Sequence, residues 1–159
     1  MKHGIFLFML VLAGFSPLVL SAQNGQPPRS MQEILMSHKW FPDIYDEEDE
    51  EISFFTYTKT QEIDTIITED GELRTSVSSY YFSDTIEEFD PNKVGKNTGG
   101  TYMILYTDTN YPGVPTTYIY KLIEVLEWRL TIQHLTPGMS SYGHINTCYP
   151  TPLKRESVD

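Results

Sequence analysis

Cysteine is almost absent from this sequence. Only Cys148 occurs among 159 residues. A single thiol cannot form an internal disulfide, so we expect the fold to depend on a packed core, as in a bacterial exported protein. The sequence around Cys148 also lacks the His and acid that activate a catalytic thiol, which argues against a nucleophilic role.

Positive charge is scarce as well. Lysine and arginine number 11 against 22 acidic residues, which gives a formal net charge of −11 at pH 7. Nucleic acids and anionic membrane surfaces bind clustered basic side chains, so we expect neither as a partner. A cationic protein would be attracted. The simpler interpretation is that the negative charge keeps the protein soluble.

Motifs for catalysis and metal binding are missing too. His38, His134 and His144 have no partner at a metal-ligand spacing, and no serine lies on a strand-to-helix elbow. The glycine-bearing run 93–100 lacks the residue order of a phosphate-binding loop. Paired carboxylates for glycoside hydrolysis stay open because acids are plentiful, but nothing singles out two of them. We therefore expect a protein that is not an enzyme and has no metal or cofactor.

The long apolar run of the chain lies at its start. Lys2 precedes the apolar stretch Ile5–Leu20, and Ser21 and Ala22 are small residues suited to cleavage. This pattern predicts an export signal over residues 1–22, removed rather than kept as an anchor. The mature protein would then be periplasmic or extracellular, without a membrane span, and one unit more negative because Lys2 is lost.

What remains predicts one domain with short ends. The polar, proline-bearing segment 23–29 is typical of a linker, residues 30–150 form the domain, and 151–159 form a tail. No internal repeat is present, and we expect a monomer.

The stretch Thr116–Leu135 carries the clearest structural signal. Tyr, Ile, Val, Trp and Thr dominate it, and these side chains favour strands. Its second arm alternates, with Trp128, Leu130 and Ile132 on one face. We predict two strands joined by a tight turn near Leu126–Trp128.

Other elements follow from similar patterns. Ser30 and Glu33 fit a capping box that starts a helix over Met31–His38. Alternation and turn residues predict five further strands, over Ile52–Lys59, Glu62–Thr68, Leu73–Ser83, Thr101–Thr107 and Tyr142–Cys148. The whole predicts an all-β fold, an antiparallel up-and-down barrel of about eight strands with a short N-terminal helix, or else a sandwich.

The chain resembles the bacterial lipocalin-like (calycin-type) family of small exported barrels. The export signal, Ile34-Leu35 on a helix before Trp40, the strand end Tyr80–Ser83 followed by Phe89 and Lys93–Lys96, and the closing hairpin Ile119–Ile132 carry the likeness. His38 and Pro42 depart from the family pattern. The resemblance implies that Trp40 plugs the closed end of a barrel that holds a small apolar molecule.

Aromatic side chains on the predicted strands are the candidates for ligand binding. An apolar ring with a polar tip can line a cavity, although the same rings can also be cross-strand pairs that stabilise the sheet. The candidates are Trp40, Tyr81, Tyr102, Tyr106 and Trp128.

The acidic run 43–51 supports a different hypothesis, docking of a cationic protein. It lacks the spacing of a calcium-binding EF-hand loop, so a solvated or docking loop is the interpretation we adopt. The docking candidates are Asp46, Glu47, Glu48, Asp49 and Glu50. The sequence thus predicts an exported binding protein for a small apolar or amphipathic ligand, or alternatively an acidic protein-binding module or inhibitor.

Overall fold

The computed structural model describes residues 27–43, 51–108 and 117–152. Within these ranges the chain forms one α-helix, one short 3₁₀ helix at Pro91–Lys93 and a sheet of eight strands. The elements are α1 (Met31–Met36), β1 (Phe41–Pro42), β2 (Ile52–Tyr57), β3 (Gln61–Ile67), β4 (Leu73–Ser83), β5 (Tyr102–Thr107), β6 (Thr117–Leu126), β7 (Arg129–His134) and β8 (Ile145–Tyr149).

From β2 to β8 each strand pairs antiparallel with the next along the chain, and β1 pairs antiparallel with β8, which gives the order β1-β8-β7-β6-β5-β4-β3-β2. The two ends of the sheet meet at Trp40 and Phe55. The Trp40 amide donates to the Phe55 carbonyl at 2.8 Å, and the Phe55 amide donates to the Trp40 carbonyl at 2.9 Å. This bridge nearly closes the sheet on itself, which confirms the predicted up-and-down barrel with a short helix.

The helix α1 begins at the predicted capping box. The Ser30 amide donates to the Glu33 carboxylate at 2.7 Å, and the Glu33 amide donates back to the Ser30 hydroxyl at 3.3 Å. Buried Gln32 donates from Nε2 to the Lys59 carbonyl at 2.8 Å and thereby ties the helix to the turn between β2 and β3. A helix of six residues needs such a support, because it is too short to be stable alone.

Two apolar layers lie on opposite faces of the barrel wall. The inner layer contains Leu35, Trp40, Tyr57, Tyr80, Phe82, Met103, Leu105, Leu122, Leu130, Ile132 and Cys148. The outer layer is built on Tyr81, Ile104 and Ile119, with Phe89, Val94, Tyr102 and Leu135 packed against it. Apolar residues on both faces of a strand such as β5 indicate either a central position or a covered outer face, and here the segment between β4 and β5 covers the outer face.

Tyr81 holds this covering segment. Its hydroxyl donates to the Glu88 carbonyl at 3.0 Å and accepts from the Asp90 amide at 3.3 Å. The segment returns to the sheet through Gly100, where a Cβ would lie 2.8 Å from the Ser83 carbonyl oxygen. Only glycine permits so close an approach of the two backbones.

Several sequence-based boundaries need correction. Trp128 lies in the turn before β7 and is 55 % exposed, so it is not on the dry face with Leu130 and Ile132. The last strand begins at Ile145 rather than Tyr142, because Gly143 turns the chain with a positive φ of 84°. Cys148 lies in this strand and is buried.

Candidate ligand-binding site

The two ends of the barrel interior differ in chemistry. Near α1 the interior is filled by large buried side chains, among them Trp40, Tyr80, Phe82 and Met103. The Trp40 indole N–H donates to the Leu35 carbonyl at 2.9 Å, which satisfies the one polar atom of that ring. The other half of the interior carries carboxylates, hydroxyls and tyrosines. The candidate site therefore lies in this polar half.

A cavity of about 200 Å³ occupies the polar half. Its lining residues come from strands β2 to β6 and are Phe55, Glu62, Asp64, Ser76, Ser78, Thr107, Tyr118 and Tyr120. A second void of about 30 Å³ shares Phe55, Glu62 and Tyr120 and extends toward β7 and β8. An eight-stranded barrel has room for one small ligand, and this cavity fits that limit.

Strand register brings the two acids to the inner face. In β3, Glu62 lies opposite Tyr57 of β2 and Ser78 of β4, while Asp64 lies opposite Phe55 and Ser76. Residues two apart in a strand share a face. Glu62 and Asp64 therefore project together into the barrel.

Glu62 is nearly completely enclosed, at 6 % exposure. Its Oε2 accepts a hydrogen bond of 2.7 Å from the Tyr57 hydroxyl. Burial raises the pKa of the Glu62 carboxyl to about 7, the neighbouring charge of Asp64 adds to this rise, and the Tyr57 hydrogen bond opposes it. Glu62 thus changes its charge near neutral pH.

Asp64 is less deeply buried, but its Oδ1 atom is shielded from solvent and has no hydrogen-bond donor among the described residues. Burial raises the pKa of this carboxyl as well. An enclosed acceptor without a donor costs free energy, about 1 to 3 kcal/mol in typical proteins. Such an atom in a cavity wall is one that a bound donor would satisfy.

The neighbouring titratable side chains stay neutral around the cavity. Burial raises the pKa of Cys148 to about 12 and moves the pKa of Tyr57 and Tyr120 upward. Burial lowers the pKa of His134, whose Nε2 lies 3.0 Å from the Asn146 amide nitrogen. Among the described residues that line the cavity there are two acids and no lysine or arginine to oppose them.

A larger, open groove of about 730 Å³ lies outside the barrel. Phe89, Tyr106 and Ile119 form part of it, and Glu87 and Glu88 lie on its acidic side. The rings of Phe89 and Tyr106 stack with centroids 5.0 Å apart. This groove is a surface feature formed by the covering segment and the outer face of the sheet.

The five aromatic candidates separate into three locations. Trp40 is fully buried at the filled end. Tyr81, Tyr102 and Tyr106 belong to the outer face, where Tyr106 lines the groove and the other two join the outer layer. Trp128 is exposed at the hairpin turn with the Arg129 guanidinium over its ring. These last four side chains do not line the interior cavity.

Other sequence predictions lie outside the described residues. The export signal over residues 1–22, most of the linker, the tail beyond residue 152 and all of the docking candidates Asp46, Glu47, Glu48, Asp49 and Glu50 belong there.

Sequence reasoning did not select Glu62 and Asp64. Alternation along their strand places Ile63 and Ile67 on one face, but an apolar set on a face does not show that this face is the inner one. The alternation of side chains along β4 could have indicated which face turns inward. Ser76 and Ser78 share the face of Tyr80 and Phe82, whereas Val77 opposite Ile63 is 46 % exposed.

No helix among the described residues has the length and apolar character that crossing a bilayer would require. Comparison with known proteins adds no assignment, since no protein-family model, curated protein or solved structure matches this chain.

Proposed function

We propose that this chain is an exported, non-enzymatic binding protein that holds one small amphipathic molecule inside its barrel. The observation that supports this most directly is the interior cavity of about 200 Å³ beside the enclosed carboxyl of Glu62. Burying an acid lowers stability unless the acid is neutralised or paired. A binding function gives a reason for placing such a group in a cavity.

The lining combines two kinds of contact. Phe55, Tyr118 and Tyr120 offer ring surface, while Ser76 and Ser78 offer hydroxyls. Ligand sites commonly unite apolar walls with a few polar groups that fix orientation. The cavity is smaller than typical drug-sized pockets, so the ligand is small. The proposal includes no reaction and no cofactor, and it places the protein in the periplasm or outside the cell as a monomer.

Benzyl alcohol is a suitable first probe, because it joins one ring to one hydroxyl. In ¹H–¹⁵N NMR titrations we expect it to shift amides of β3, β4 and β6 around the cavity. Ser76→Phe, which places a ring on the inner face of β4, should abolish these shifts. Thr75→Phe is the matched control on the opposite face of the same strand and should leave them unchanged.

Shifts concentrated at Phe89 and Ile119, or an equal response of both variants, would contradict an interior site. The absence of any saturable shift with benzyl alcohol and with benzylamine would contradict the binding function itself.

A second candidate function is docking of a cationic protein segment to the outer groove. The exposed acidic side chain of Glu88 beside an apolar floor, together with the net charge of −11, favours a basic segment with an apolar anchor, whereas Glu87 is already paired with Lys93 at 2.7 Å. A lysine-rich peptide containing one Phe would test this. Binding that weakens with salt and with Phe89→Ala, but persists in Ser76→Phe, supports docking. Binding that is lost in Ser76→Phe contradicts it.

A further inference from the structure

We infer that the interior cavity selects a small protonated amine, with Glu62 and Asp64 as the two groups that bind its ammonium. This inference depends on the proposed binding function and specifies the chemical class of the ligand. It comes from the geometry of the acids, their missing partners and the lining around them.

The carboxyls of Glu62 and Asp64 have acceptor sites that the described part of the chain does not fill. Among the described residues, Glu62 accepts from one donor, the Tyr57 hydroxyl, and Oδ1 of Asp64 accepts from none. A carboxylate has about four acceptor sites, and an ammonium has up to three N–H donors. An amine between the two acids would supply donors that the protein itself does not provide.

The negative charge of the two acids favours a cationic ligand. Both acids face a cavity in which no lysine or arginine occurs among the described lining residues, so these residues do not compensate the repulsion between the two charges. An anionic ligand would add a third negative charge. A neutral ligand would leave the repulsion in place. A monovalent cation removes it and gains charge-assisted hydrogen bonds, which are roughly twice as strong as neutral ones.

The aromatic part of the lining suits an apolar body attached to the amine. The rings of Phe55, Tyr118 and Tyr120 line the same cavity. Aromatic faces attract cations and also pack against apolar groups. An amine on a short aromatic or aliphatic body would therefore contact both parts of the lining. A hard divalent metal ion fits less well, since it prefers six or more oxygens and the described residues bring no three His, Cys, Asp or Glu together for it.

The surroundings of Glu62 also give this site a pH dependence. The titratable groups that face it are Tyr57 from β2, Asp64 from β3, Tyr80 from β4, Tyr120 from β6, and His134 and Cys148 from β7 and β8. The tyrosines and the thiol have raised pKa values and stay protonated, and the imidazole has a lowered pKa and stays neutral. Ser78 on β4 and Thr107 on β5 contribute hydroxyls, which do not titrate. The two carboxyls therefore control the charge of the cavity, and amine binding strengthens as the pH rises past neutrality.

The test compares benzylamine with benzyl alcohol, which match in shape and differ in charge. A primary amine is protonated at about pH 8, so the comparison is made there by NMR titration. We expect benzylamine to bind more tightly by about tenfold or more, and this preference to shrink at about pH 5 as the acids gain protons. Glu62→Gln should remove most of the preference while the alcohol still binds.

Two further variants exclude simpler explanations. Asp64→Asn should also reduce the preference for the amine. Because Asp64 is less buried than Glu62, this variant tests the inference even if Glu62→Gln disturbs folding. Asp84→Asn removes one exposed charge outside the barrel and should leave the preference unchanged, which excludes general attraction to an acidic protein. Calcium chloride, added at the same concentration of positive charge as benzylamine, should not displace benzylamine from the cavity.

The outcomes separate the two proposals. If alcohol and amine bind equally well, or if both acid variants keep the preference, the amine inference fails while the binding function stands. If calcium displaces the amine competitively, the site is a metal site and the inference fails. If neither probe enters the cavity, the binding function fails first.

Discussion

The Tyr57 hydroxyl donates a hydrogen bond of 2.7 Å to Glu62 inside the barrel, and both side chains are buried. The two residues are directly opposite each other on β2 and β3. A hydrogen bond to the charged form of an acid stabilises that form, whereas burial destabilises it. Burial is the larger effect here, so the acid titrates near neutral pH. This balance gives the first two predictions.

Stability should fall as the pH rises through the range in which Glu62 titrates. The acid has a pKa of about 7 in the folded chain against an ordinary value of 4.5. Below the lower value both states hold the proton. Between the two values only the unfolded chain releases it, so unfolding becomes easier, by up to roughly 3 kcal/mol once the pH exceeds about 7. Glu62→Gln should remove this loss, as measured by urea unfolding across pH.

The exposed Glu88→Gln variant is the control for this pH profile. Its unfolding free energy should follow the profile of the unaltered protein. If the unaltered protein, Glu62→Gln and Glu88→Gln all showed parallel profiles of unfolding free energy against pH, the assignment of a raised pKa to Glu62 would be contradicted.

Tyr57→Phe should raise the pKa of Glu62 further. The substitution removes the hydroxyl that favours the charged carboxylate and keeps the ring that fills the core. A ¹³C NMR titration of the glutamate carboxyls would show the change. Tyr118→Phe changes another tyrosine of the cavity lining and should have a smaller effect. An unchanged or lower midpoint in Tyr57→Phe would show that the hydrogen bond does not act on the charged form.

Trp40 and Trp128 should differ sharply in their effects on stability. Trp40 is fully buried and Trp128 is 55 % exposed. Trp40→Ala should cost about 3 to 5 kcal/mol, because it leaves a large cavity at the filled end of the barrel. Trp128→Ala should cost less than about 1 kcal/mol, mainly through lost contact with Arg129. Urea unfolding followed by circular dichroism measures both, and similar losses would contradict the two placements.

Local patterns predicted the strands better than they predicted the inside of the barrel. The bounds Leu73–Ser83 were correct because alternation and the turn at Asp70-Gly71, where Gly71 has a φ of 82°, both act locally. The face that turns inward depends on how the sheet closes. Ile63 pairs with exposed Val77 on the outer face, so an apolar strand residue did not mark the interior.

The candidate tyrosines were misplaced for a related reason. The strand β5 is apolar on both faces, which is consistent with a central position or with a covered outer face, and the sequence did not show which segment would cover it. Tyr81 and Tyr102 pack against Phe89 and Val94 from the segment between β4 and β5. A segment with loop-like composition gives no periodic signal for such packing. Glu62 and Asp64 could not be singled out from the sequence, because the chain contains 22 acidic residues.

Tyr81→Phe should loosen the covering segment without affecting the interior. The hydroxyl of Tyr81 bonds to the Glu88 carbonyl and the Asp90 amide, and its ring packs beneath Phe89 at a centroid distance of 5.6 Å. The variant keeps the ring and loses both hydrogen bonds, so we expect a stability loss of about 1 kcal/mol and faster hydrogen exchange at Asp90. Benzyl alcohol should bind in the cavity as before, since Tyr81 is on the opposite face of β4. Tyr102→Phe is the matched control, because the described residues give its hydroxyl no hydrogen bond, and it should leave exchange at Asp90 unchanged. Equal exchange rates in both variants would show that packing of Phe89, rather than the Tyr81 hydroxyl, holds the segment in place.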